Sequence, residues 1–598
     1  MPRVLLSFLF IFLLQNLFAQ PNFTANDQVP TYEEPFLLGT NPGFYNGWDD
    51  EGLADIVVGN PDFNLRGAGV RTQRVPLPDE FLEQWGVEVR VDEMEYYESV
   101  GLKEHVVFME GPSDDHRDLV MHCADAPSAL FGNMYEPIWI NGEVNTENFY
   151  AKYVYDIVTH YGPFIKTYEV FNEPDFDYSG NGFKDFGEPG NWYENIPAPC
   201  DIKIRAPIYQ YIRMLRITYE IVKTYDPESF VAVGGLGFPS FLDLILRHSD
   251  NPDQGNISTD YPLLGGAYFD MMSFHNYPHF GLRDFNSDIN DFEYFRHSDE
   301  AVKEVVLHKL EFQDVLADYG YDGNTYPAKE YIITETNVPR VEFDEFIGSD
   351  AAQTNYLMKM QLACLENGIR QMHVFKTAES RPESNMSSPL HAMGFFKDLD
   401  DTPPYMQEEN EAALGSAMMT SQLEGWQIEE TLTTDLNLPD DIDGAVLENG
   451  KIVLWAKTSI DRSEEASANY SFPANWSTMM LRKNWDDFEH QGTEVSSQNI
   501  LLNGRPSFFE EIFVIDGVKE LNKNFSIYPS VINLGQSITL ENESKSSLKI
   551  FDQLGHPSYK VEYSPGVQVV NWIPKVPGVY FVQVKTEATF FVEKILVL

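Results

Sequence analysis

The chain is poor in cysteine, poor in basic residues, and almost without long apolar runs. Three cysteines in 598 residues, Cys123, Cys200 and Cys364, allow at most one internal bridge, so no disulfide framework holds this protein together. No Cys/His cluster has the spacing of a structural zinc site. Lysine and arginine number 41 against 93 aspartates and glutamates, a net charge of −52. Such a surface repels polyanions, and nucleic acid is excluded as a partner. The one extended apolar run is VLLSFLFIFLL, from Val4 to Leu14, too short for a comfortable membrane span, which needs about 20 residues. With Arg3 before it and Ala19 after it, residues 1–19 read as a cleaved export signal. No transmembrane span is expected downstream. An Asp-x-Asp-x-Asp-Gly loop is also missing, and tandem β-repeats of the adhesin kind are not found.

Aromatic residues are abundant, with 9 Trp, 31 Tyr and 42 Phe. They suffice to fill a large core and still line a groove, and they exclude a disordered chain. The acidic surface suits a protein working outside the cell.

Between about residues 35 and 380, short Val/Ile/Phe-rich runs alternate with longer amphipathic stretches, the pattern of repeated βα units. The runs are 35–40, 69–75, 105–111, 167–173, 230–236, 269–277, 331–336 and 370–376, eight in all, the number a closed (β/α)8 barrel requires. Among the helical stretches, Ile208, Ile212, Leu215, Tyr219 and Val222 repeat at steps of four and three and predict one buried face. After about residue 410 the long helices stop. Segments such as 444–457 and 477–485 predict a β-sandwich, to which the stretch 20–35 is a candidate extra strand. The expected organisation is an export signal (1–19), a TIM barrel (20–410), an accessory β-sandwich (411–520) and a small C-terminal β-sandwich (523–598).

In a parallel barrel the active face lies at the C-terminal strand ends. There the fourth run closes in Phe171-Asn172-Glu173-Pro174, the sixth in His275-Asn276-Tyr277-Pro278 and the seventh in Thr334-Glu335-Thr336-Asn337. Each sets polar groups directly after an apolar strand, where desolvation is costly unless they are paired or employed. Two carboxylates facing one pocket can divide acid–base and nucleophilic work, provided that their surroundings differ.

These motifs, taken in order, resemble the signature of glycoside hydrolase clan A, retaining (β/α)8 enzymes. The resemblance covers roughly residues 35–400. It implies Glu173 as acid/base, Glu335 as nucleophile, Asn172 as the partner of the sugar 2-hydroxyl and Tyr277 as the residue holding the nucleophile. It further implies His275 in the sugar pocket and Arg74 beside the nucleophile, with Arg71 a competitor for that arginine role. Many clan members carry tryptophan at the end of the eighth strand. Here the run reads His373-Val374-Phe375-Lys376, so Phe375 is the candidate platform and Lys376 a candidate contact for an anionic sugar.

Trp192 and Tyr193, in the long Gly-rich insertion 177–195, are candidate stacking rings; the duller alternative is that they staple the loop to the barrel. His116 and His122, lacking a third partner at metal spacing, are read as non-ligands. No metal and no cofactor are expected. The implied activity is hydrolysis of O-glycosidic bonds in a β-linked poly- or oligosaccharide. The alternatives are an inactive carbohydrate-binding barrel and a metal-dependent barrel hydrolase.

Residues 523–598, with the Tyr-Pro start, KIFDQLG and PGVYFVQV, resemble the C-terminal sorting domain of the type IX secretion system of Bacteroidetes. That resemblance implies the type IX machinery as a partner and a secreted or cell-surface location.

Overall fold

In the computed structural model the described residues are 23–512, except 125, 401 and 489–491, and most of 525–597. The export-signal expectation for residues 1–19 lies outside them.

All eight expected runs are strands. They are β1 (Leu37–Thr40), β2 (Thr72–Pro76), β3 (His105–Met109), β4 (Ile165–Val170), β5 (Phe230–Val233), β6 (Met271–His275), β7 (Glu330–Thr336) and β8 (Ile369–Val374). Each lies beside its sequence neighbours in a closed parallel barrel, and β8 returns to β1 in the register Leu37↔Gln371 to Thr40↔Val374. The strands are buried on both faces. Tyr168 and Val170 of β4 face the helices in the main core, while Thr167 and Glu169, also buried, alternate with them toward the interior.

The helices over the barrel are α1 (Asp50–Val58), α2 (Asp79–Trp85), α3 (Val91–Ser99), α4 (Phe149–Tyr161), α5 (Ile208–Tyr225), α6 (Pro239–Arg247), α7 (Ser298–Asp318) and α8 (Asp350–Glu366). Side-chain oxygens of Asp49, Asn148 and Ser349 accept from the first-turn amides of α1, α4 and α8, which sets where those helices begin. In α5 the five residues of the expected face are all buried.

The stretch 20–35 supplies no sandwich strand among its described residues. Instead Tyr32 and Val29 pack with Val106, Phe230, Met271 and Ile332 and plug the N-terminal end of the barrel. Nε2 of Gln371 donates to the Tyr32 hydroxyl oxygen at 2.6 Å. Cys123 and Cys200 form the one disulfide, and Cys364 is a buried free thiol.

Helix α9 (Glu411–Leu423) lies against α8. Beyond it, β9 (Ile442–Val446), β10 (Ile452–Ala456), β11 (Ser467–Tyr470), β12 (Met479–Asn484), β13 (Thr493–Ser496), β14 (Ile500–Asn503) and β15 (Ser507–Glu511) are antiparallel. They form a five-stranded sheet, β9-β10-β15-β12-β13, and a β11-β14 ribbon. Ile452, Leu454 and Ala456 of β10 face the sandwich core, whereas Val453 and Trp455 face Met358, Leu362, Met418 and Met419 of α8 and α9. The sheet thus buries both faces, one of them on the barrel. The described residues between 525 and 597 form a three-stranded and a five-stranded sheet around Ile538, Leu548, Ile550, Val582 and Ile595. No helix among the described residues is long and apolar enough to cross a membrane.

Candidate active site

Two local departures from regular strand geometry aim the polar groups inward. In β7 the register shifts between Ile333 and Glu335 against β6, and between Ile333 and Thr336 against β8. This bulge lets the consecutive residues Thr334 and Glu335 both reach the interior, where strict alternation would send one outward. After β4, Phe171 and Glu173 take positive φ, 71° and 51°. Each such non-glycine residue costs about 1–3 kcal/mol and persists only where the surroundings enforce it. Here the Glu173 amide donates to the Gly234 carbonyl at 2.7 Å.

Arg74, 1% exposed, is the hub. Its Nε donates to Glu169 Oε2 at 2.6 Å, Nη1 to Glu335 Oε1 at 2.7 Å and to Asn41 Oδ1 at 3.2 Å, and Nη2 to Asn172 Oδ1 at 2.6 Å. The guanidinium lies over Phe108, 4.3 Å from the ring centre. The second oxygen of Glu335 accepts from the Tyr277 hydroxyl at 2.6 Å. Burial and the Glu335 charge push the Tyr277 phenol well above its ordinary range, so it remains a donor.

Glu173 is held differently. His275 Nδ1 lies 3.0 Å from its Oε1 and 3.7 Å from Glu335 Oε2. Burial pushes the Glu173 carboxyl up, but the hydrogen bond and charge of His275, with Lys203 and Arg74, outweigh it and hold the group below the usual range. Burial alone would depress His275, yet Glu335 and the Glu173 hydrogen bond hold it above the ordinary imidazole value. Both shifts favour the arrangement with the proton on the ring. Gly235, at φ 57°, passes so close that a Cβ there would lie 2.2 Å from His275 Nε2; only glycine leaves room for the ring.

Glu173, His275 and Glu335 each offer a ligand atom, all within 4.8 Å of one another. Asp79, Glu83 and His116 do the same, with Asp79 bonded to His116 Nδ1 at 2.9 Å and to the Ser113 amide at 2.8 Å. His122 pairs with Asp118 at 3.3 Å. In the first trio, the Glu335 oxygens already accept from Arg74 and Tyr277. One carboxylate is thus locked at both oxygens, and the other, its side chain 29% exposed, faces a single ring nitrogen and an open cleft.

That cleft, of about 770 Å³, runs from Glu173 across the ends of β4 to β6, between Phe176, Phe183, Phe238, Phe280 and Phe292. The candidates Glu173, Glu335, Arg74, Asn172, His275 and Tyr277 converge on one mouth. Phe375, half-buried, joins them edge-on to Tyr277 at 5.7 Å between ring centres. Trp192 does not join them. It is 1% exposed and packed on Phe238 and Phe241, so it has no face to offer a sugar and staples the insertion to the barrel. Tyr193, its neighbour, lines the cleft. Arg71 leaves the competition with Arg74 because it pairs with Glu424, at 2.8 and 3.2 Å. The acidic groups of the insertion serve its own backbone: Asp177 accepts from Ser179 and Gly182, and Glu188 and Glu194 from the Asp185 and Gly187 amides.

Sequence reasoning passed over Glu169, Ser273, Asn41 and Lys203. Lys203 Nζ donates to the Asn172 carbonyl at 2.7 Å. Glu169, a charge in the middle of a strand buried on both faces, was the available signal, because such a group must be paired.

No family model and no curated protein sequence matches the chain. Among solved structures, it aligns over 81% of its length with 99% of a conserved exported protein from Bacteroides fragilis, at 10% identity and a TM-score of 0.46. It aligns over 81% with 98% of the catalytic domain of GH30 xylanase C from Talaromyces cellulolyticus, at 10% identity and 0.42. A modular endo-β-1,4-mannanase from Cellulomonas fimi aligns over 97% of this chain and 98% of its own, at 10% identity and 0.34.

Proposed function

We propose that the chain is a retaining glycoside hydrolase acting on a β-linked poly- or oligosaccharide, with Glu335 as nucleophile and Glu173 as acid/base. One observation carries this reading: a carboxylate oxygen of Glu173 and one of Glu335 lie within 4.8 Å of each other at the barrel mouth. Retaining enzymes set their carboxyl groups about 5–5.5 Å apart, inverting ones about 6.5–9.5 Å to admit a water between them.

In the first step an oxygen of Glu335 attacks the anomeric carbon while Glu173 protonates the departing oxygen. The glycosidic C–O bond breaks and an ester to Glu335 forms. Arg74 and Tyr277 keep the attacking carboxylate in one orientation. In the second step Glu173 takes a proton from water, whose oxygen displaces Glu335 from the same carbon. Asn172, its Oδ1 fixed by Arg74, keeps its amide for the sugar 2-hydroxyl. The leaving group exits past Glu173, into the phenylalanine-lined cleft. Export through residues 1–19 and type IX sorting through residues 523–598 belong to the same proposal and would put the enzyme outside the cell; the amino-terminal residue and mass of protein recovered from the medium check it.

The test is a screen of β-glycans and β-glycosyl fluorides with Glu335→Gln alongside. Wild type should release sugar of retained anomeric configuration, read by NMR, and the variant should lose at least ~10³-fold in kcat. A 2-fluoro glycoside should leave its sugar on the peptide bearing Glu335. Full turnover by the variant, or inverted product, would overturn the assignment.

A further inference from the structure

Beneath the two catalytic glutamates the barrel interior is polar and closed to bulk solvent. Glu169 of β4, Ser273 of β6 and Thr334 of β7 are all fully buried. Arg74 Nε occupies one Glu169 oxygen. The other, Oε1, lies 2.6 Å from Ser273 Oγ and 2.8 Å from Thr334 Oγ1, and the two hydroxyls are 2.7 Å apart. Thr334 Oγ1 is in turn 3.0 Å from His275 Nε2, and the opposite ring nitrogen, Nδ1, faces Glu173. A continuous line of contacts thus runs from a third carboxylate to the acid/base.

Counting hydrogens decides its direction. An ionised carboxylate only accepts, and each hydroxyl has one hydrogen to give. Hydrogen bonds to a buried charge are the stronger ones, so Ser273 and Thr334 both turn their hydrogens to Glu169. With its hydrogen committed, Thr334 can only accept from the ring, and Nε2 must carry N–H. The alternative, Thr334 donating to Nε2, strips a fully buried carboxylate of one donor.

We infer that Glu169, acting through Thr334, fixes the hydrogen on His275 Nε2, so that His275 exchanges its Nδ1 proton with Glu173. The cycle starts with the proton on Nδ1 and Glu173 ionised, an arrangement that the 3.0 Å contact and the nearby Glu335 carboxylate favour. When sugar displaces water, separated charges become costly and the proton crosses the 3.0 Å from Nδ1 to Oε1. The N–H bond breaks, an O–H bond forms, and both groups become neutral. Glu173 gives that proton to the leaving oxygen. In the second step it takes one from water and returns it to Nδ1, which restores the starting state. The other groups facing or near the ring are Glu335 of β7, Arg74 of β2, His373 of β8, pushed down to about 3 by burial, and Tyr277 two residues along. Glu169 and Thr334 are positioning residues in this scheme, and His275 is the proton carrier.

The tautomer stands apart from the glycosidase reading, whereas the use of its proton rests on it; the experiment separates the two. With ¹⁵N-histidine protein, and His275→Asn to identify the signal, the neutral ring of wild type should show a protonated Nε2 and a bare Nδ1. Thr334→Val should mix the tautomers and Thr334→Ser should restore them. A wild-type ring protonated at Nδ1 when neutral, or a Thr334→Val spectrum unchanged from wild type, overturns the relay. Kinetically, Thr334→Val should reduce turnover of poor sugar leaving groups about tenfold or more beyond its effect on glycosyl fluorides, which need little acid help, and should shift the pH profile for the former. Equal loss on both would also overturn it. Failure of wild type to cleave any substrate would remove the glycosidase reading and leave the tautomer result standing.

Discussion

Asp175 lies two residues past Glu173, buried, with Oδ2 accepting from the Gly237 and Phe238 amides at 2.8 and 2.9 Å. Burial outweighs those amides and pushes its carboxyl from 3.8 up to about 7. A carboxyl raised by folding stabilises the fold in full below its unfolded value near 3.8, and that contribution is lost as pH rises through about 7. Asp175→Asn keeps an acceptor for both amides and does not titrate. The variant should therefore gain on wild type between pH 4 and pH 8, by roughly 4 kcal/mol at most. Denaturant midpoints at the two pH values read it directly, and a gap that does not change with pH would show that Asp175 is ionised throughout. At this scale Glu173, Glu335, His275 and Tyr277 were legible because they follow apolar strands in recognisable order. Glu169 was legible only as a buried charge in need of a partner, since TYEV carries no mark of which arginine and which two hydroxyls reach it from other strands.

Among elements, the loops after β4 and β6 shape the cleft. Phe183 is 78% and Phe280 55% exposed, which is unusual for phenylalanine, yet each is steadied edge-on, by Phe238 and Phe346 respectively. Rings pre-set in this way offer flat apolar faces without needing to order first. Phe183→Ala and Phe280→Ala should each lower kcat/KM on an oligosaccharide by about tenfold, the order of one stacking contact, mostly through KM. Unfolding free energies should change by no more than ~0.5 kcal/mol, as for other surface changes. Unaltered kinetics on both would remove the leaving group from this cleft. Strand positions were readable because eight runs had to close one sheet. The fate of Trp192 was not, because sequence spacing does not say whether a ring in a long insertion turns outward or, as here, inward onto Phe238 and Phe241. The β7 bulge is hidden for a similar reason: Thr334 and Glu335 both point inward only because the register slips beside them.

At the scale of the molecule, barrel and sandwich share a core. Trp455 Nε1 donates to Asp299 of α7 at 2.9 Å, and Lys359 of α8 holds the other oxygen of Asp299 at 2.8 Å. The Trp455 ring packs with the α8 and α9 methionines. Trp455→Ala should cost about 3–5 kcal/mol and weaken barrel and sandwich together, so that far-ultraviolet and near-ultraviolet signals still fall in one transition. Two separated transitions in wild type would contradict a shared core.

Tyr32 precedes the first strand and is held by Gln371 of the last, across 339 positions of chain. As the polypeptide emerges during synthesis, the thread that stoppers the barrel floor appears first and its latch last. Until residue 374 is made, the outer edge of β1 has no partner from β8 and the stopper lacks the Gln371 hydrogen bond that latches it. Nearly two thirds of the chain must therefore be carried in an unclosed state, and whatever accompanies the nascent protein has to shield that edge until the ring is sealed.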